Sequence, residues 1–415
     1  MTCVKQSVAT CRWDRVPLGI LALALTVLAS ACTFRSPGAS GADPDAAVDA
    51  AIDAPGENNP PIAWLHPWRH RKEITLLASQ IEAPSNGSLS SFPVLISITD
   101  PEIAASALST GEDIVFTASD ATTVLPGEIE SFTPTTNQLV AWVKVPSLSA
   151  TTDTKLYVYY AHSGLSSLPP QTPQAVWSTD YLGVWHLGQD PGPGGNGDIK
   201  DATSGNHNGT AEASMTSTDL VAGRIERGVN FDGSNDYLSF GSLDLGNAFT
   251  ISMWVDLDSG SNIKTLIANS ASGPDTDGFR LFINGVSNQD RRITFETANG
   301  GIGSVRLAQT NTNAIAFNTM THVAVVVDRA AATARIHVNG ISVGTTTPIA
   351  TNFRGNSDFD IGRMENNAFY FDGTLDEIQI SSAPRSTEWL RTSYNNQLQP
   401  STFHTLASEE NEPAT

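Results

Sequence analysis

Cysteine is nearly missing from this chain. Only Cys3, Cys11 and Cys32 occur among 415 residues, all at the amino-terminal end. Neither a disulfide framework nor a cysteine-type zinc site can form downstream of them. Basic residues are also few, 23 Lys+Arg against 43 Asp+Glu, for a formal net charge of −20. Without a Lys/Arg cluster to neutralise a run of phosphates, nucleic acid is not an expected partner. Long apolar runs are limited to VPLGILALALTVLASA, residues 16–31. This is shorter than the roughly 20 residues a transmembrane helix needs. Catalytic signatures are absent as well. There is no Gly-x-Ser-x-Gly elbow, and PGPGGNGD at 191–198 lacks the lysine of a phosphate-binding loop. The eight histidines are scattered. His66 and His70 are four apart, but Pro67 between them argues against a helical metal pair. His322 and His337 stand alone on expected strands.

What is present begins with an export pattern. Lys5, Arg12 and Arg15 precede the apolar run, which ends Leu28-Ala29-Ser30-Ala31-Cys32. A basic start, a short apolar stretch and small closing residues fit a secretory signal over 1–31. The ending resembles a lipobox, which implies lipidation of Cys32 and membrane attachment through that anchor. Thr33 in place of an aspartate favours the outer membrane by the same resemblance. Residues 32–62 are rich in Ala, Pro, Gly and Asp with almost no large apolar residue, so they are expected to be a disordered acidic tether.

From Trp64 the pattern becomes short runs of period two separated by Gly, Pro, Asn and Asp, the mark of antiparallel sheet. RKEITLLA, FPVLISI, EDIVFTAS, LVAWVKVP and KLYVYYAH are such runs. In LVAWVKVP, Val140, Trp142 and Lys144 share one face, and Ala141, Val143 and Val145 the other. The order Trp68-Arg69-His70-Arg71-Lys72, FPVLISI, GEDIVFTASD, AWVKVP, LYVYYAHSG resembles domain of unknown function 2341. That family implies architecture and no chemistry. A small β-sandwich-like domain is expected over 63–164, followed by a Pro-rich linker at 165–176.

A second β-region follows over 177–385. TISMWVDL sets Ile251, Met253, Val255 and Leu257 against Ser252, Trp254 and Asp256. Asn339-Gly340 between two alternating runs is the strongest hairpin signal in the chain, and Asn284-Gly285 is a second, weaker one. Many short strands without long amphipathic helices argue for a sandwich or jelly roll. Val184-Trp185-His186-Leu187, GVNFDGSNDYLSF, FTISMWV, THVAVVVD, IHVNGISVG and FDGTLDEIQISSAPRS resemble, in order, the LamG-type, concanavalin A-like jelly roll. Over 386–415 a short helix and tail are expected, with Ser386 as the cap of TEWLRTSYNN. The fold class is therefore all-β: a small sandwich-like domain, a larger antiparallel jelly roll and a short C-terminal helix.

FDGSNDYL, 231–238, lacks the spacing of an EF-hand loop and reads more naturally as a turn. The jelly-roll resemblance leaves calcium open as a cofactor, with Asp232 and Asp376 as ligands. Jelly-roll glucanases carry three carboxylates on one strand. Here Asp376 and Glu377 are adjacent, hence on opposite faces of a strand, and no third follows. Glu128 and Glu130 do share a face, but in the smaller domain. The expectation is a non-catalytic, exported, lipid-anchored envelope protein that binds a glycan or a surface protein, with Trp254 as the candidate stacking residue. A structural spacer without a specific ligand and a glycoside hydrolase are the alternatives.

Overall fold

The computed structural model describes residues 63–84, 87–164, 172–177, 180–193, 197–212 and 214–414. The signal segment, Cys32, the tether and residues 165–171 of the linker lie outside the described residues. No helix among the described residues is long and apolar enough to cross a membrane.

The architecture is all-β, and every strand pairing in its sheets is antiparallel. In the first domain the strands Ser88–Thr99, Gln138–Ser149 and Gly127–Thr133 form a three-stranded sheet. It packs on a larger sheet built around Trp68–Leu76 and Thr154–His162. Alternation explains the packing. Val94, Ile96, Ala141 and Val143 enter a core shared with Ile74, Leu76, Leu156 and Val158, while Leu95, Val140 and Trp142 leave on the opposite face. The larger sheet is completed from the far end of the chain. His404–Leu406 and Glu410–Asn411 both pair with Trp68–Leu76, and Phe403 enters the first domain's core. The residues after the helix are thus part of the first domain's sheet and not a free tail.

The second domain is a sandwich of an eight-stranded and a seven-stranded sheet. Their inner faces meet in a separate core that includes Phe249, Ile251, Met253, Val255, Phe279, Leu281, Phe295, Val325 and Ile380. Asn339 and Gly340 both have positive φ, 51° and 72°, and join Thr333–Val338 to Ile341–Pro348 as a two-residue hairpin. Asn284-Gly285 does not do this. The strands it was expected to join tightly, Gly278–Ile283 and Ile293–Ala298, are bridged by a longer loop whose ends close through Asn284 N–H donating to Arg292 O. FDGSNDYL is a turn at the rim that carries the chain from Arg227–Asp232 in one sheet to Tyr237–Asp244 in the other. Asp232 Oδ1 accepts from the Ser234 and Asn235 amides at 2.8 and 3.2 Å, and Gly233 takes φ +75°.

The two domains touch. Leu95, Val140 and Trp142 pack with Val176, Trp177, Tyr181, Val184 and Ile225 in a buried layer between the two cores. The C-terminal helix, Thr387–Leu398, docks along the same boundary, its first turn capped by the Ser386 hydroxyl accepting from Trp389 N–H. Its closing residues reach into both domains. Asn395 Nδ2 donates to Gln80 O, and Asn396 pairs with both backbone groups of Leu95, at 2.7 and 2.9 Å. Gln397 accepts from Trp254. Leu95 lies on an edge strand, so Asn396 covers backbone groups that a fourth strand would otherwise find.

Candidate functional site

Each sheet of the jelly roll has one face in the core and one facing away from it, and of the two a ligand can reach only the second. On the eight-stranded sheet that outer face is occupied. Trp254 does point away from Ile251, Met253 and Val255, but it is 0 % exposed. Its Nε1 donates to Gln397 Oε1 at 2.6 Å, its ring stacks on Tyr394 at 5.8 Å, and the Arg224 guanidinium lies 5.2 Å from its centroid. Trp254 as a sugar-stacking residue is therefore corrected: the helix has taken the ring face that a sugar would need.

The shared calcium role of Asp232 and Asp376 is corrected too. Asp232 pairs with Asp372 across the two strands, and Asp376 lies four residues further along. At about 3.3 Å per residue this separates them by roughly 13 Å, whereas Ca²⁺ ligands must all lie within about 2.6 Å of the ion. Asp232 is engaged with its own turn. Asp376 is fully buried, its Oδ2 accepting from Ile225 N–H at 2.9 Å. Burial, and then the neighbouring Glu377 charge, push its carboxyl well above the usual range.

The outer face of the seven-stranded sheet is different. Arg280, Glu296 and Leu307 form a row across three adjacent strands, with Phe282 one step along. Phe279, Leu281, Ile283, Ile293 and Phe295, the alternate residues, go inward. Phe282 packs outside the main core with Ile263, Ala268, Met364 and Phe369. Phe282, Ile263, Met364 and Phe369, with Arg280 and Glu296, make the floor of a cleft of about 700 Å³, walled by Ser272–Asp275 on one side and by Gly303 and Val305 on another. The volume falls in the range of pockets that hold small ligands, about 300–1,000 Å³.

The polar groups of the cleft are fixed. Arg280 Nη1 donates to Gly273 O at 2.9 Å, and Nη2 pairs with Glu296 Oε1 at 2.8 Å. Burial lowers the Arg280 pKa and raises that of Glu296, each against the pull of the other. Asp275 accepts from the Gly303 and Val305 amides at 2.8 and 3.1 Å, which holds its carboxyl below the usual range and ties the two walls together. Val286 lies at the rim, 70 % exposed, and Ile302, on the loop beside Gly303, is fully exposed.

Sequence reasoning missed Arg280 and Glu296. A signal existed: GFRLFI and ITFETA each carry one charge within an apolar run, and charges so placed must find partners when buried. It also left Glu128 and Glu130 in the smaller domain and His186 as one letter of a motif. The structure brings those three together with Glu377 at the domain boundary.

Residues 232–391 match the concanavalin A-like lectin/glucanases superfamily, and residues 110–174 match a domain of unknown function, DUF2341. The two stand in that order along the chain. No curated protein matches the chain. Among solved structures, the receptor-binding domain of botulinum neurotoxin C/D mosaic serotype is 14% identical over 52% of this chain and 51% of its own, with a TM-score of 0.40. The chain thus spans about half the length of that domain. Domain 4 of AbnA, a GH43 extracellular arabinanase from Geobacillus stearothermophilus, in complex with arabinotriose, is 16% identical over 51% of this chain and 97% of its own, with a TM-score of 0.39.

Proposed function

We propose that this chain, a DUF2341 segment joined to a concanavalin A-like jelly roll, is a non-catalytic binding protein that takes a carbohydrate in the cleft on its seven-stranded sheet. The observation that carries the reading is the composition of that cleft: an apolar floor of Phe282, Ile263, Met364 and Phe369 beside a buried Arg280 paired with the partly exposed Glu296. A sugar ring has an apolar face of C–H groups and an edge of hydroxyls. The floor suits the first, and a fixed carboxylate and guanidinium suit the second. The same geometry disfavours hydrolysis. Asp275 and Glu296 are the carboxylates lining the cleft, and both are engaged, one by backbone amides and one by arginine. Glycoside hydrolysis needs one carboxyl free to act as acid and another as base or nucleophile.

A glycan array on the folded chain tests the reading. Wild type should bind a definable glycan class. Phe369→Ala should lose at least about tenfold, equivalent to about 1.4 kcal/mol, and Glu296→Gln should do so in the fraction that remains folded, since it also takes the ion-pair partner from the buried Arg280. An array without any bound glycan removes the carbohydrate. Protein is the second reading, favoured by the exposed Val286 and Ile302 at the rim. Surface crosslinking that traps one partner in wild type but not in Ile302→Asp would select it. If neither ligand is found, the structural spacer stands.

Display on the envelope through a lipid on Cys32 belongs to the same proposal and rests on the lipobox-like run before that residue. Cys32→Ala should move the protein from the membrane to the soluble fraction, and membrane retention in that variant would count against it.

A further inference from the structure

The boundary between the domains holds a group of ionisable side chains that the ligand cleft does not use. His186 follows the strand Tyr181–Trp185 of the jelly roll and is 6 % exposed. Its Nδ1 lies 2.7 Å from Glu377 Oε1 and 3.9 Å from Glu130 Oε2, and its Nε2 lies 3.5 Å from Glu128 Oε2. Two indoles enclose the group. Trp142 Nε1 donates to Glu130 Oε2 and Trp177 Nε1 to Glu128 Oε2, both at 2.7 Å, with the two rings 5.9 and 5.6 Å from the imidazole.

Glu377 reaches this place through a bulge. Ser252 pairs with Gln379 and Trp254 with Asp376, which leaves one extra residue on the strand Asp372–Ser381, and Glu377 takes φ +51°. Asp376 and Glu377 therefore both turn away from the jelly-roll core, which strict alternation would forbid.

The charge of the group does not balance. Glu128, Glu130 and Glu377 surround one imidazole, and even a protonated ring neutralises only one of them. His186 Nε2 has no hydrogen-bond partner among the described residues, and neither has Asp376 Oδ1, on a side chain with no exposure. A buried excess of negative charge calls for a cation or for protons.

We propose that His186 Nδ1, Glu130 and Glu377 form a site for one divalent first-row transition metal that fastens the first domain to the jelly roll. The three donor atoms lie within 4.8 Å of one another, close enough to converge on a single ion with small side-chain movements. One imidazole and two carboxylates suit Zn²⁺ or Mn²⁺, whereas Ca²⁺ takes six to eight oxygens. The surroundings fit as well. Glu128 Oε2 lies 3.5 Å from the other ring nitrogen, on the side where the carboxylate behind a metal-bound histidine stands, and a small movement would bring the two into hydrogen-bond reach. Trp142 orients the Glu130 ligand. Because Glu130 comes from one domain and His186 and Glu377 from the other, the ion stabilises the pair of domains and not either alone.

The test uses the full chain, stripped with EDTA and then offered Zn²⁺, Mn²⁺ or Ca²⁺, with bound metal counted by elemental analysis and stability followed by thermal melting. One Zn²⁺ or Mn²⁺ per chain, with a rise of several degrees in Tm, is expected, and Ca²⁺ should give neither. Glu130→Gln and Glu377→Gln should lose both the bound ion and the rise. A stripped wild type that binds no metal and melts unchanged overturns the proposal, whatever the variants do. So does metal uptake that persists in Glu377→Gln, which would place the ion elsewhere, or a preference for Ca²⁺.

Discussion

The jelly roll presents two outer faces of similar composition and opposite fate. On the eight-stranded sheet, Trp254, His322 and His337 point away from the core and are buried beneath the C-terminal helix. On the seven-stranded sheet, Phe282, Arg280 and Glu296 also point away, and there they form the floor of a cleft that opens to solvent. The local pattern is the same: an alternating strand with an aromatic or charged residue on its outer side. Alternation decides which side chains avoid a strand's own core. It does not decide whether a later segment will cover them.

Trp254→Ala should produce the largest effect on this contrast. Removing a buried indole and leaving Gln397 without its donor should cost about 3–5 kcal/mol, measured by urea unfolding, with the cleft's ligand still bound by whatever fraction remains folded. A loss of ligand at unchanged stability would reverse the roles of the two faces. Asn396→Ala comes next, at about 1–3 kcal/mol, since both Leu95 backbone groups lose a buried partner. A change below about 0.5 kcal/mol would show that water replaces the amide without penalty.

Acid provides a third comparison. Burial holds His322 at about 3, with His337 adding to the effect, and burial followed by Arg335 holds His337 at about 4. Both lie below the ordinary value near 6.5. Below pH 6.5 the unfolded chain takes up protons that the folded rings refuse, so stability falls as pH falls, until the folded pKa values are reached. The step from pH 6.5 to 5.5 should cost on the order of 1 kcal/mol per ring. Because the raised Asp376 carboxyl contributes with the opposite sign, the comparison is between variants: across that step His337→Leu should lose about 1 kcal/mol less than wild type, read from urea midpoints. An identical pH dependence in the two proteins would mean that the covered face admits water. The smallest effect belongs to the open face: Val286→Ser should change stability by less than about 0.5 kcal/mol, and a larger loss would mean that the rim is packed.

Much of the fold was legible because local chemistry dictates it. Ile251, Met253 and Val255 alternate into the core as the run TISMWVDL implies, and Asn339-Gly340 makes the hairpin its two positive φ values require. Asn284-Gly285 has the same letters and does not, since the run beyond it is too weak to pair at once. The candidate site was less legible, and each miss was a matter of distant partners. Trp254 was assigned to the correct side of its strand, yet its neighbour Gln397 comes 143 residues later. Glu128 and Glu130 were recognised as a pair on one face, but the residue they surround, His186, belongs to the other domain. Asp376 and Glu377 were expected on opposite faces, and a one-residue bulge placed them on the same side.

The strands His404–Leu406 and Glu410–Asn411 bear on how this molecule is made. Arg71 and Glu410 form an ion pair at 2.7 Å although 339 residues separate them. During synthesis the strand Trp68–Leu76 leaves the ribosome long before its outer neighbours exist, with one edge of hydrogen-bonding groups unmatched. Of the two domains, the one that emerges first is therefore the last to be finished, and a translation product halted inside the jelly roll would carry a sticky open edge for chaperones or proteases to find.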